Sequence, residues 1–155
     1  HNGDQGYAKM RLLMSYLMSV PGIPCVYYGD EIADVGGNDP DNRRMMPWQD
    51  SELNQYQIDL RSRVRTLANI RGKHKALSRG YRTTISASQD TWVYRMGGCG
   101  EEAPDVIVAV NSGTSAVTVN VPESNTLDLI DETATTGAQV EVGPLDYRVL
   151  KVLSD

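Results

Sequence analysis

Apolar and polar positions along the chain switch period twice. From residue 7 to 20, "YAKMRLLMSYLMSV", the residues Tyr7, Met10, Leu13, Met14, Leu17 and Met18 recur every three or four positions, which predicts an amphipathic helix. Leu12, Tyr16 and Val20 widen its apolar stripe, and Asp4 is placed to cap its start. Pro21-Gly22 breaks it. The continuous run "IPCVYY" then predicts a short strand buried on both faces, with Tyr27, Tyr28 and the Cys25 thiol inside. A stripe built from Leu53, Tyr56, Leu60, Val64, Leu67 and Ile70 predicts a second helix over 52–71, with Gly72 as its C-terminal cap.

Beyond Ala76-Leu77 the period falls to two. Short alternating runs at 81–87, 91–96, 105–111, 116–121, 126–131, 138–142 and 146–153 are separated by turn residues. They predict an antiparallel β-sandwich over 79–155, preceded by a one-strand slice of an α/β domain over 1–78.

Between the strand and the second helix lies "GGNDPDNRRMMPW". Loops longer than about 12–15 residues are uncommon in compact domains and are often functional. Asp39 and Arg43 stand out in it. A carboxylate and a guanidinium together accept from and donate to sugar hydroxyls, and Pro40 with Gly36-Gly37 turns the chain sharply enough to bring them together. An ion pair that merely holds the loop is the alternative. A calcium loop starting at Asp39 is rejected, because Arg43 and Arg44 occupy positions that require an oxygen ligand and a glycine. Asp30-Glu31 is not a convergent catalytic carboxylate pair, because neighbours on an extended chain point to opposite faces. Trp48 offers either a stacking face or a packing group. Trp92 and Tyr94 share one strand face and read as sandwich core or as its contact with the preceding α/β part, with a carbohydrate-binding platform as the alternative. Glu101-Glu102 reads as a solvated turn.

The net charge of −5 argues against nucleic acid and anionic membrane as partners. Two cysteines, Cys25 and Cys99, leave one conceivable bridge but suggest no disulfide framework or metal site. The opening "HNGDQG" reads as loop, and a chain that starts so is expected to be a piece of a longer protein.

Gly22, Pro24, Tyr27, Gly29 and Glu31, followed by the Asp-Pro-Asp-Asn-Arg loop, resemble the last barrel strand of the α-amylase family of glycoside hydrolases. The resemblance covers essentially the whole chain. It implies a C-terminal slice of a (β/α)8 TIM barrel followed by the family's C-terminal β-sandwich, and a parent enzyme that retains configuration at α-glucosidic bonds. It implies an α-glucan or maltooligosaccharide substrate and no cofactor. It assigns Asp39 and Arg43 to a glucose unit on the non-reducing side of the cleavage point. The family's catalytic Asp, Glu and Asp match no stretch here, so no catalytic residue is expected and the chain alone should be inactive. A non-catalytic scaffold derived from the same family is the second expectation.

Overall fold

The computed structural model describes residues 3–100 and 102–153. Helix α1 (Gly3–Ser19) starts earlier than predicted, so that Gly3 to Gly6 of the supposed opening loop are helical and Asp4 lies inside the first turn. His1 and Asn2 lie outside the described residues, as does Glu101 of the expected acidic turn. Helix α2 (Gln55–Lys73) starts three residues late, because Asn54 and Gln57 form a reciprocal capping box: the Asn54 side chain accepts from the Gln57 amide at 3.0 Å, and the Gln57 side chain from the Asn54 amide at 3.0 Å. Gly72 is no cap; the helix runs through it to Lys73. A short helix α3 (Lys75–Arg79) follows, unforeseen in the sequence, and buries Ala76 and Leu77.

Among the described residues eight strands follow: β1 (Tyr81–Ala87), β2 (Thr91–Gly97), β3 (Val106–Asn111), β4 (Val117–Asn120), β5 (Asn125–Asp128), β6 (Thr133–Thr136), β7 (Gln139–Val142) and β8 (Asp146–Val152). All pair antiparallel, in a six-stranded sheet ordered β1-β2-β3-β8-β5-β6 and a two-stranded sheet β4-β7. The expected antiparallel β-sheet architecture is therefore present, with the hairpin at Ser88–Asp90 closed by the Ser88 amide on the Thr91 carbonyl at 2.8 Å. Strand β6 was missed because a run of threonines carries no apolar alternation.

Alternation places the two faces of the large sheet in two cores. Tyr94, Met96, Val106, Val108, Tyr147 and Val149 face the helices, against Met14, Met18, Leu60, Val64 and Leu67. Val93, Ile107, Ala109 and Leu150 face the small sheet, against Val119, Val121, Val140 and Val142. The molecule is thus three layers: helices, large sheet, small sheet. Trp92 and Tyr94 serve the helix contact, with Trp92 tilted over Tyr16 at 6.0 Å and over Tyr94 at 4.4 Å. Asn111, fully buried, ties the layers by donating from Nδ2 to the carbonyls of Ser115, Val142 and Gly143 and accepting the Gly113 amide.

The expected buried strand is corrected. Residues 23–27 form no regular element and pair with no strand among the described residues, and Ile23 is 97% and Tyr27 68% exposed. Tyr28 and Cys25 are exposed as well, and both cysteines are free. An apolar run becomes a strand interior only when neighbouring strands satisfy its amides and cover its faces. No other described segment of the chain does so.

Candidate functional site

The loop hangs from an anchored stem. Arg71, buried near the end of α2, donates from Nη1 to the carbonyls of Met18 and Val20 at 2.8 and 3.0 Å and from Nη2 to that of Gly22 at 2.6 Å. It caps the C-terminal end of α1, whose last carbonyls have no helical partner. After that irregular segment, the Tyr27 amide donates to Asp30 Oδ2 at 2.9 Å and the chain turns through a 3-10 helix, Asp30–Ile32. Gly29 has φ 88°, and a Cβ there would sit 2.9 Å from Asp34 Cβ, so the turn requires glycine. Ile32 is buried and fastens the stem to α2. Asp30 and Glu31 thus lie on a helical turn rather than an extended chain, and Asp30 has spent one oxygen on backbone.

The tip is closed on itself. A Cβ on Gly36 would lie 2.6 Å from Asn42 Cα, so the strands of the loop cross at backbone contact distance. Asp41 holds the crossing: it accepts the Gly37 amide at 2.7 Å and the Arg44 fork at 2.8 and 2.9 Å. The Arg44 guanidinium, and then the Gly37 amide, hold the Asp41 carboxyl below the usual carboxylate range. The 3-10 turn Asp41–Arg43 follows the cis Asp39–Pro40 peptide.

Asp39 and Arg43 are brought together outside this knot. Arg43 Nε lies 3.2 Å from Asp39 Oδ1, with the two side chains 75% and 65% exposed respectively. The sequence reading found this pair but missed Asp41–Arg44, whose three-residue spacing on a helical turn was the available signal. Trp48 and Met45 extend the rim and are exposed at 79% and 89%. Tyr27 and Tyr28, expected in the core, are exposed and stand edge to face at 6.1 Å.

Comparison with known proteins decides the relationship. The chain is 32% identical over 117 residues to a cyclomaltodextrinase of Geobacillus thermopakistaniensis, covering 76% of this chain and 17% of that protein. It is 30% identical over 135 residues to a cyclomaltodextrin glucanotransferase of Bacillus sp. strain 1-1, covering 84% of this chain and 18% of that protein. The chain belongs to the α-amylase family of glycoside hydrolases. A solved member, the cyclic α-maltosyl-(1→6)-maltose hydrolase of Arthrobacter globiformis, superposes with a TM-score of 0.73 at 30% identity, over 93% of this chain and 29% of that one. No protein-family model matches the chain. The chain spans less than a fifth of the two curated relatives described, and its helices and antiparallel sheets match the C-terminal region of α-amylases.

Proposed function

We propose that this chain is the C-terminal part of a retaining glycoside hydrolase acting on α-glucosidic bonds of starch-like glucans. In this reading residues 1–78 close a (β/α)8 barrel, with 23–28 as its last strand, and 79–155 form the C-terminal sandwich domain. The catalytic acids come from the parent's earlier strands. Asp39 and Arg43 supply sugar contacts on the rim, because loops that follow barrel strands lie at the catalytic face. The relatives support the substrate class by their names, a cyclomaltodextrinase and a cyclomaltodextrin glucanotransferase.

The observation that carries the reading is the division of labour between the two ion pairs. Exposed pairs contribute about 0–1 kcal/mol, so Asp39–Arg43 adds little to a loop that Asp41, Arg44 and Gly37 already close. Its carboxylate and guanidinium face solvent in direct contact, and their remaining donors and acceptors are open to sugar hydroxyls beside the pair. In the parent enzyme, Arg43→Ala should lower kcat/KM on maltooligosaccharides by about 1–3 kcal/mol, the scale of a charged hydrogen bond. Unchanged kinetics with a lower Tm would instead assign the pair to holding the loop.

A further inference from the structure

A groove of about 660 Å³ runs between α1 and α2 and ends at the β5–β6 connection, sharing no lining residue with the loop at 36–48. Its chemistry is unlike that of either core. Tyr7 and Tyr56 stack at 5.4 Å and 13° along it, and Tyr56 remains 46% exposed. Asp59, Asp131, Arg11 and Arg63 line it beside them. We propose that this groove is a second α-glucan-binding surface; the choice of α-glucan among polyhydroxyl ligands rests on the proposed function.

The charges select the ligand class. Three carboxylates, of Asp4, Asp59 and Asp131, oppose a phosphate or other anion. Two guanidiniums among them oppose a cation. A neutral ligand that both donates and accepts satisfies both sets, and sugar hydroxyls do this. One donor is also unspent. Arg63 has no hydrogen bond or ion pair among the described residues, whereas Arg11 pairs with Asp146 at 4.0 Å. Asp59 Oδ1 accepts only from Gln55 and Asp131 Oδ2 from Arg148, so each carboxylate keeps an oxygen. Behind the wall the Tyr147 hydroxyl is buried without a partner, with the Arg63 guanidinium as the foremost charge acting on it.

The ring pair supplies the apolar part. The Tyr7 hydroxyl accepts from Asn54 Nδ2 at 3.1 Å and its ring stacks on Tyr56, while the Asp4 carboxylate acts on the Tyr56 hydroxyl and raises its pKa. Both rings are therefore held in place before a ligand arrives, which lowers the ordering cost of binding. The outer face of Tyr56 presents aromatic surface to the C–H face of a sugar ring.

The test uses the parent protein in native gels containing amylopectin. Tyr56→Ala and Arg63→Gln should each raise the amylopectin concentration needed for half-retardation about tenfold, the equivalent of one charged or stacking contact. Tyr56→Phe, which keeps the ring, should stay near wild type. Cleavage of maltotriose, too short to occupy both regions, should be unchanged in all three. Retardation that none of the variants alters overturns the groove. A second measurement needs no variant: maltoheptaose should slow amide exchange in residues 55–66 of the wild-type parent, and exchange unaffected by saturating maltoheptaose overturns the proposal. A parent that cleaves no α-glucosidic bond sinks the proposed function, while its retardation still judges the groove.

Discussion

Arg71 Nη2 donates to the carbonyl of Gly22 at 2.6 Å, joining α2 to a residue 49 positions earlier in the chain. With the bonds to Met18 and Val20, one guanidinium fork satisfies three carbonyls where α1 breaks at Pro21-Gly22. The stem of the candidate loop is thus aimed by a side chain outside it.

Replacing Arg71 tests that role. Arg71→Met keeps the aliphatic stem but leaves three carbonyls unpaired, and should destabilise the fold by about 2–4 kcal/mol in urea unfolding. Arg71→Lys should recover only part of this, since an ammonium on a flexible stem lacks the planar fork. Full stability of Arg71→Met would remove Arg71 as the anchor.

The knot at Asp41 predicts a separation between order and binding. Arg44→Ala should speed proteolytic cleavage within residues 36–48 several-fold, whereas Arg43→Ala should not. The lowered Asp41 carboxyl sets the pH range. Its contribution is present above the ordinary carboxylate value of 3.8 and is lost as pH falls through the lower folded value. Loop cleavage by an acid-active protease should therefore rise only below about pH 3.8 in the wild type. Equal cleavage of both variants would contradict the division between the pairs.

Asn111 should be among the most sensitive positions in the sandwich. Asn111→Asp would set a carboxylate against the carbonyls of Ser115, Val142 and Gly143 in a site closed to water. A cost of about 3 kcal/mol or more is expected, above that of Asn111→Ala, because an unpaired buried charge costs more than a lost hydrogen bond. Comparing the two by chemical denaturation decides the order.

His74 joins α2 to α3, and burial, with Lys151 and Lys73 nearby, lowers its pKa below the ordinary 6.5. The folded state then binds fewer protons than the unfolded state between those two values. Stability is full above pH 6.5 and falls as the solution is acidified through that window. His74→Gln should flatten the change in Tm between pH 7.5 and about 5.5. An identical slope in the variant would place the titration elsewhere.

The period of the apolar pattern determined much by itself. Repeats of three and four fixed α1 and α2, because one helix face must be buried whatever it meets. Repeats of two fixed seven of the eight strands, for the same reason on a sheet. Asp39 and Arg43 were legible because their functional groups and the turn residues between them are local. Other features depended on partners distant in sequence. Whether 23–28 becomes a strand depends on neighbours that no described residue supplies, so a greasy run lies open. Arg71 looked like one more cation in a last turn until the fold set three carbonyls in front of it. Asn111 closed a strand in the sequence and bridges two sheets in the structure. The groove between Tyr7 and Tyr56 arises only where two helices lie side by side. Propensity and periodicity act over a few residues; unpaired carbonyls, shared cores and grooves exist only once distant segments meet.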